Sequence, residues 1–295
     1  MDVHLVDGTY ELFRHFYGKH PSRIDSVLGI EISAAYGVVG TALQMLEDGA
    51  THLGVATDHV IESFRNDLWA GYKTGEGIDP DLWNQAHPSE DALRALGVTV
   101  WAMVEVEADD ALGAAAAIAA ADGRVERVYI CTPDKDLGQC VGGKVLQFDR
   151  RNDKILDADA VREKFGVPPA AIADYLALVG DSADGFPGLP GFGAKTAAAL
   201  LARYGSIDAI PDDENSWDVP VRGAAKLGET LRAGRAHAAL FRTLATLRLD
   251  APVGVVDEWE WRGPDPDAWS DWCDRFGSTS LRRRVETLAT ARGHA

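Results

Sequence analysis

Short apolar runs rich in β-branched residues recur through the first half of the chain, and an acidic residue stands at or just past the end of each. VHLV leads into Asp7, THLGVAT into Asp58, VTVWAMVEV into Glu107 and RVYICTP into Asp134. Runs of this length and composition predict strands. Between them lie stretches of helical period: Ser33 to Leu46, the Ala-rich Asp110 to Ala121, and the charged Asp159 to Phe165. Such alternation predicts an α/β fold with a parallel central sheet. After Pro168-Pro169 the strand-like runs largely stop. Helical periodicity then dominates from Ala170 to Leu249, broken by a glycine-rich stretch at 180–193 and an acidic loop, Pro211 to Asp218. A domain boundary is therefore expected near residue 169, with 1–169 as the sheet domain and 170–295 as a helical one.

The acids carry the first chemical signal. Ligands of an open parallel sheet gather beyond the carboxyl ends of its strands, and that is where Asp7, Asp58, Glu107, Asp109, Asp110, Asp134 and Asp136 fall. Asp181 and Asp184 form a fifth burst further on. Two carboxylates ~4 Å apart repel by roughly 4 kcal/mol at an effective dielectric of ~20, so a converging set must bind protons or metal. Oxygen-only ligands point to Mg²⁺ or Mn²⁺. Helix capping explains acids in a first turn, and for EADD at 107–110 alone it stands level with a metal site. It does not account for the other bursts.

A second constellation is GDSADGFPGLPGFGAKTAAALLARYGS, residues 180–206. A helix beginning near Ala194 is preceded by Gly188, Gly191 and Gly193, which let the backbone approach an anion, and Lys195 would meet the same phosphate. A plain interhelical turn with an exposed lysine is the simpler alternative. The Walker A pattern, GxxxxGK[ST] after a strand, is absent. The GxGxKT spacing, which includes Thr196, has the form of a hairpin that grips a nucleic-acid backbone without reading bases. In a third stretch, SFRNDLWAGYK, a helix would place Arg65, Trp69 and Tyr72 on similar faces. An amphipathic surface helix with buried aromatics is the structural alternative. Beside a metal cluster, Lys73 can stabilise charge on a phosphate and Tyr72 can stack on a base.

Bulk properties narrow the class. The chain has 295 residues, 46% hydrophobic and 25% charged, and a formal net charge of −17. That charge argues against a generic nucleic-acid binder. Residues 1–169 carry 15 basic and 28 acidic side chains, whereas Val219 to Leu249 hold six basic residues against Glu229 alone. Positive charge is thus expected to be local. Three cysteines with no CxxC pair suggest reduced thiols and a cytoplasmic setting. MDVHLVDG lacks a basic leader, and Ala111 to Ala121 is too short to span a bilayer.

Together the motifs LVDGTYELFR, TDHVIESFRNDLWAGYK, VEADD, CTPDKDL and DYLALVGDSADGFPGLPGFGAKTAAALLARYGS resemble the bacterial 5′ to 3′ exonuclease family, related to flap endonucleases and to the nuclease domain of bacterial DNA polymerase I. The resemblance covers nearly the whole chain. It implies a Rossmann-like, PIN-type nuclease domain followed by a helical domain with a helix-three-turn-helix motif. With the chain ending at Ala295, a stand-alone, monomeric nuclease is expected. The resemblance implies that all nine acids are metal carboxylates for two divalent ions, that Lys73 contacts the scissile phosphate with Arg65 and Tyr72 beside it, and that Gly188, Gly191, Gly193, Lys195 and Thr196 hold duplex DNA, with K⁺ on the hairpin carbonyls. Implied substrates are DNA 5′ ends, flaps and nicks, including RNA primers in hybrids, in replication or repair. An RNA-directed PIN nuclease, a non-catalytic structure-specific DNA-binding protein and a Rossmann-like phosphatase are the alternatives. Three departures stand out. Glu76 replaces the family's arginine in YKxxR, and Gly185 a common asparagine. No Lys or Arg lies between Lys73 and Arg94, where the family arches over the single-stranded 5′ end.

Overall fold

A computed structural model describes residues 1–18, 21–27 and 29–294. In chain order it contains β1 (Asp2–Asp7), α1 (Gly8–Phe16), α2 (Ser33–Glu47), β2 (His52–Asp58), α3 (Phe64–Leu68), α4 (Pro80–Trp83), α5 (Ala86–Ala95), β3 (Thr99–Met103) and α6 (Ala108–Ala121). There follow β4 (Arg127–Cys131), β5 (Val145–Asp149), β6 (Lys154–Leu156), α7 (Ala158–Phe165), α8 (Ile172–Val179), α9 (Ala194–Tyr204), α10 (Ala224–Ala245), α11 (Pro266–Arg275) and α12 (Thr279–Arg292). The sheet order is β3-β2-β1-β4-β5-β6. The first five strands are mutually parallel and β6 runs antiparallel to β5. Strand order reverses between β1 and β4, which opens a crevice at their carboxyl ends.

Both faces of the sheet are covered, as a parallel sheet requires. Helix α6 packs on one face, and its run of alanines, buried from Ala111 to Ala116, lets the helix lie close to Val3, Leu5 and Ile130. On the other face α1, α2 and α5 bury Leu12, Val39, Leu43 and Leu93. Gly8 is fixed by close approach: a Cβ there would lie 2.7 Å from Val55 Cγ1 and 2.9 Å from the Ala56 carbonyl. Helices α7 to α10 build a separate core around Ile172, Leu200, Leu231 and Phe241.

The last segment departs from the expected helical domain of 170–295. Val253, Val256 and Trp259 return to the α6 face of the sheet, while Trp269, Trp272 and Cys273 of α11 and Leu281 and Val285 of α12 join the core of α1, α2 and α5. All four tryptophans of that tail, Trp259, Trp261, Trp269 and Trp272, are buried against the sheet domain, where their large apolar area is covered. In the Arg282-Arg283-Arg284 run, Arg282 pairs with Asp274 and Arg284 with Glu47. Among the described residues no helix is long and apolar enough to cross a membrane.

Candidate metal centre

Each acid is placed by an element boundary. Asp7 ends β1 and caps α1: its Oδ1 accepts from the Tyr10 N–H at 2.8 Å, and its Oδ2 accepts from Thr132 Oγ1 at 2.9 Å across the β1/β4 crevice. Asp58 ends β2 and accepts from the Ala108 N–H at 2.9 Å. Glu107 is the N-cap of α6, with Asp109 in its first turn. Asp134 follows β4; its Oδ1 accepts from the Asp136 N–H at 2.9 Å, and Gln147 of β5 donates to its carbonyl. Asp181 and Asp184 come from a tight loop after α8, closed by reciprocal bonds between Asp181 and Phe186 at 2.8 and 3.0 Å.

The helical layer thus delivers carboxylates to the crevice of the sheet. Ligand atoms of Asp136, Asp181 and Asp184 all lie within 4.8 Å of one another, and the buried Asp136 Oδ1 has no hydrogen-bond partner. A buried acceptor left unpaired is costly, so this geometry suits a cation. Burial, with Asp58 and Asp134 nearby, pushes the Asp7 carboxyl up to about 7. Burial likewise raises Asp109, facing Asp134 and Asp7, and Asp136, facing Asp134, Asp184 and Asp181, well above the ordinary carboxylate range. Two lysines enter the cluster. Lys73 Nζ lies 2.7 Å from Glu107 Oε2 and 3.2 Å from Asp184 Oδ1, and Lys135 Nζ lies 2.6 Å from Asp181 Oδ2. Burial alone would lower the Lys73 ammonium, yet Asp184, Glu107 and Asp58 outweigh it and hold the charge in place.

Three expected site residues stand elsewhere in the geometry. Asp110 is fully buried and its two oxygens take both Arg65 Nη atoms at 2.7 Å, the Glu107 N–H at 3.0 Å and the Arg248 N–H at 2.8 Å. No lone pair of Asp110 is directed at the crevice for a metal. Arg65 is buried too, and its remaining donors bond Glu107 and the carbonyls of Leu244 and Thr246 at the end of α10. All five of its N–H donors are thus occupied within the fold. Tyr72 is 3% exposed and donates to Glu107 Oε2 at 3.2 Å, which leaves no ring face for a base. The cause is local: α3 stops at Leu68 and Trp69 is extended (φ −143°), so Arg65, Trp69 and Tyr72 do not share a helical face. Trp69 instead donates to the Gly185 carbonyl at 3.1 Å. Gly185 has φ +81°, and a Cβ there would sit 2.1 Å from the Gly71 carbonyl; even asparagine, which tolerates left-handed backbone, would collide.

At the hairpin, Gly191 (φ +86°) and Gly193 are exposed, α9 starts at Ala194 with no side-chain cap, and Lys195 is exposed. The Thr196 N–H is already used by the Gly193 carbonyl at 3.0 Å. Gly188 is buried, and a Cβ on it would lie 2.3 Å from the Gly180 nitrogen, so its role is chain packing and not anion approach. The basic run of Val219 to Leu249 is mostly paired: Arg232 with Glu214, Arg235 with Asp212, Arg242 with Asp208 and Arg248 with Asp250. The acidic loop folded onto α10 supplies two of these partners. Lys135, Thr132 and Gln147 join the site without having been expected there. Lys135 and Thr132 lie inside the CTPDKDL run.

Residues 2–166 match the family described as 5′-3′ exonuclease, N-terminal resolvase-like domain, and residues 167–267 match its C-terminal SAM fold. The chain belongs to the 5′-3′ exonuclease family. DNA polymerase I of Mycobacterium leprae is 36% identical over 295 residues, covering 97% of this chain and 32% of its own length. The 5′-3′ exonuclease of Buchnera aphidicola is 28% identical over 257 residues, covering 86% of this chain and 88% of its own. The chain spans about a third of the length of the polymerase relatives it matches. T5 5′-exonuclease with bound zinc superimposes with a TM-score of 0.66 at 19% identity, over 98% of both chains. The fold is accordingly the family's resolvase-like (PIN-type) domain with a helical SAM-fold companion.

A metal-loading test follows from the raised carboxyls. Folded-state values above the unfolded ~4 mean that the cluster's contribution to stability is fully present below pH ~4 and is lost as pH rises through about 7. Cation binding requires the deprotonated forms. The rise in melting temperature on adding Mg²⁺ is expected to be several degrees near pH 8 and to shrink toward zero near pH 5.5. An equal or larger rise at the lower pH would contradict a carboxylate site.

Proposed function

We propose that this chain is a divalent-metal-dependent nuclease that hydrolyses DNA phosphodiesters at 5′ ends, nicks and flaps. The observation that carries the reading is the meeting of Asp136 with Asp181 and Asp184 from the second layer, next to Asp7, Asp109 and Asp134. We take Asp7, Asp58, Asp109 and Asp134 as holders of one Mg²⁺ or Mn²⁺, and Asp136, Asp181 and Asp184 as holders of a second, with Glu107 between them. Ions bound there would supply Lewis acidity and lower the pKa of a bound water. The chain's own residues do the rest. Lys73, held charged by Glu107 and Asp184, would stabilise negative charge on the scissile phosphate. The uncapped start of α9, with Gly191, Gly193 and Lys195, would hold duplex backbone, and the same hairpin, as a helix-three-turn-helix, would offer carbonyls to K⁺.

The division at residue 169 is retained in this reading, with 1–169 as nuclease domain and 170–295 as DNA-binding region whose tail packs back on the first. Products would carry a 5′-phosphate, RNA primers in hybrids would be accepted, and the protein would act as a cytoplasmic monomer in replication or repair. Asp134→Ala and Asp109→Ala are each expected to lower cleavage of a labelled nicked or flap duplex in Mg²⁺ by about 10³-fold. Full activity in either variant would refute the assignment.

A further inference from the structure

Beyond Lys73 the chain does not rise free of the body. Asn66 Nδ2 donates to the Lys73 carbonyl at 2.9 Å, and the Gly75 N–H donates to Glu62 at 2.9 Å. Leu82 is wholly buried in the core of α1 and α2. Gln85 is also fully buried: its Oε1 accepts from the Ala34 and Ala35 N–H groups at 2.9 and 3.3 Å, capping α2, and its Nε2 donates to the Asp81 carbonyl at 2.8 Å. Glu90, buried as well, accepts from Thr57 Oγ1 at 2.8 Å and pairs with His59 at 2.9 Å. The rings of His59 and His87 stack at 4.0 Å. Residues 74–91 are thus fastened to the sheet domain at both ends and in the middle.

What this segment turns outward is uniform in sign. Glu76, Asp79, Asp81 and Asp91 are exposed, as are Glu62 and Asp67 before Lys73. The first cation after Lys73 is Arg94, which pairs with Asp91 at 3.2 Å and Glu90 at 3.6 Å. Lys73 itself is engaged by Glu107 and Asp184. The segment leaves the centre at Lys73 and comes back beside Asp58, where Glu90 holds Thr57 and His59, so a single strand crossing it would face carboxylates and no free ammonium or guanidinium.

We propose that residues 74–91 form an acidic, fastened collar that rejects long single-stranded 5′ arms, so that the centre takes 5′ ends at nicks, gaps or very short overhangs in preference to long flaps. The inference rests on the nuclease reading above. Glu76 and Asp81 are the specificity residues that test it, because only their backbone groups are hydrogen-bonded and neither side chain pairs with any of the described residues. The comparison uses one duplex carrying a nick or a 5′ arm of about 5 or about 20 nucleotides, in Mg²⁺. Cleavage is expected to fall about tenfold from the nick to the longest arm at low salt. That ratio should narrow when salt is raised from roughly 50 to 200 mM, since screening weakens repulsion. Glu76→Arg with Asp81→Lys is expected to raise the long-arm rate about tenfold and leave the nick rate within about twofold, with an unchanged melting temperature. Equal wild-type rates on nick and long arm, or a variant that changes both substrates alike, would overturn the collar and leave the nuclease reading intact. No cleavage of any substrate in Mg²⁺ or Mn²⁺ would remove both.

Discussion

Asp136→Asn is expected to raise the melting temperature of the metal-free protein by about 2–4 °C while lowering phosphodiester hydrolysis by about 10³-fold. The two effects have one cause. Asp136 is buried, its Oδ1 has no partner, and Asp181 and Asp184 face it within 4.8 Å. Without a cation this arrangement is unfavourable, since burial and like charge act together to hold the carboxyl well above its ordinary range. Asparagine keeps the volume, cannot ionise and puts an N–H donor where an oxygen faced its acidic neighbours. A site kept unfavourable for function is where such a substitution stabilises. The gain from added Mg²⁺ should shrink in the variant. Melts with and without chelator, beside a nick-cleavage assay, check both halves. A lower chelator midpoint, or activity within about tenfold of the parent, would count against Asp136 as a ligand.

The sheet and most of its acids were legible because both rest on local pattern. Apolar β-branched runs ending in Asp7, Asp58 and Asp134 mark strands and their carboxyl ends without long-range information. Helices α2, α6 and α7 lie within two residues of their expected bounds. Strands β5 and β6 were not anticipated: VLQFD is short and half polar, and KIL is three residues long. The roles of Asp110 and Arg65 escaped for a different reason. Adjacent carboxylates in EADD look alike in sequence, yet Asp109 and Asp110 sit 100° apart on the helix. Asp109 therefore faces the crevice and Asp110 faces α3 and α10. Which of the two would be taken up inside the fold depended on where Arg65 and the Arg248 N–H beyond α10 come together, contacts spanning 45 and 138 positions from Asp110. The tail was illegible on similar grounds. Its tryptophans show that something is buried, and their spacing does not say against which layer.

The buried arginine supplies the other large effect. Arg65→Met is expected to destabilise the fold by about 3–5 kcal/mol, because it leaves the Asp110 carboxylate buried without its partner. The magnitude follows from the bond pattern. Both Asp110 oxygens take Arg65 nitrogens at 2.7 Å, and Glu107 Oε1 and the Leu244 and Thr246 carbonyls take its remaining donors at 3.1, 2.8 and 3.2 Å. One side chain thereby ties α3, the first turn of α6 and the end of α10 to a single point. Arg65→Lys should fall between the parent and the methionine variant, because an ammonium keeps the charge and loses the planar fork that spans two oxygens. Adding Asp110→Leu to Arg65→Met removes the stranded charge and should recover part of the loss. Recovery should be incomplete, since the Glu107 and Arg248 N–H groups that Asp110 accepts and the two α10 carbonyls would then lack partners. Urea midpoints for the two single variants and the pair form the required cycle. If Arg65→Met unfolds within about 1 kcal/mol of the parent, the guanidinium is not the tie between layers that its hydrogen bonds describe.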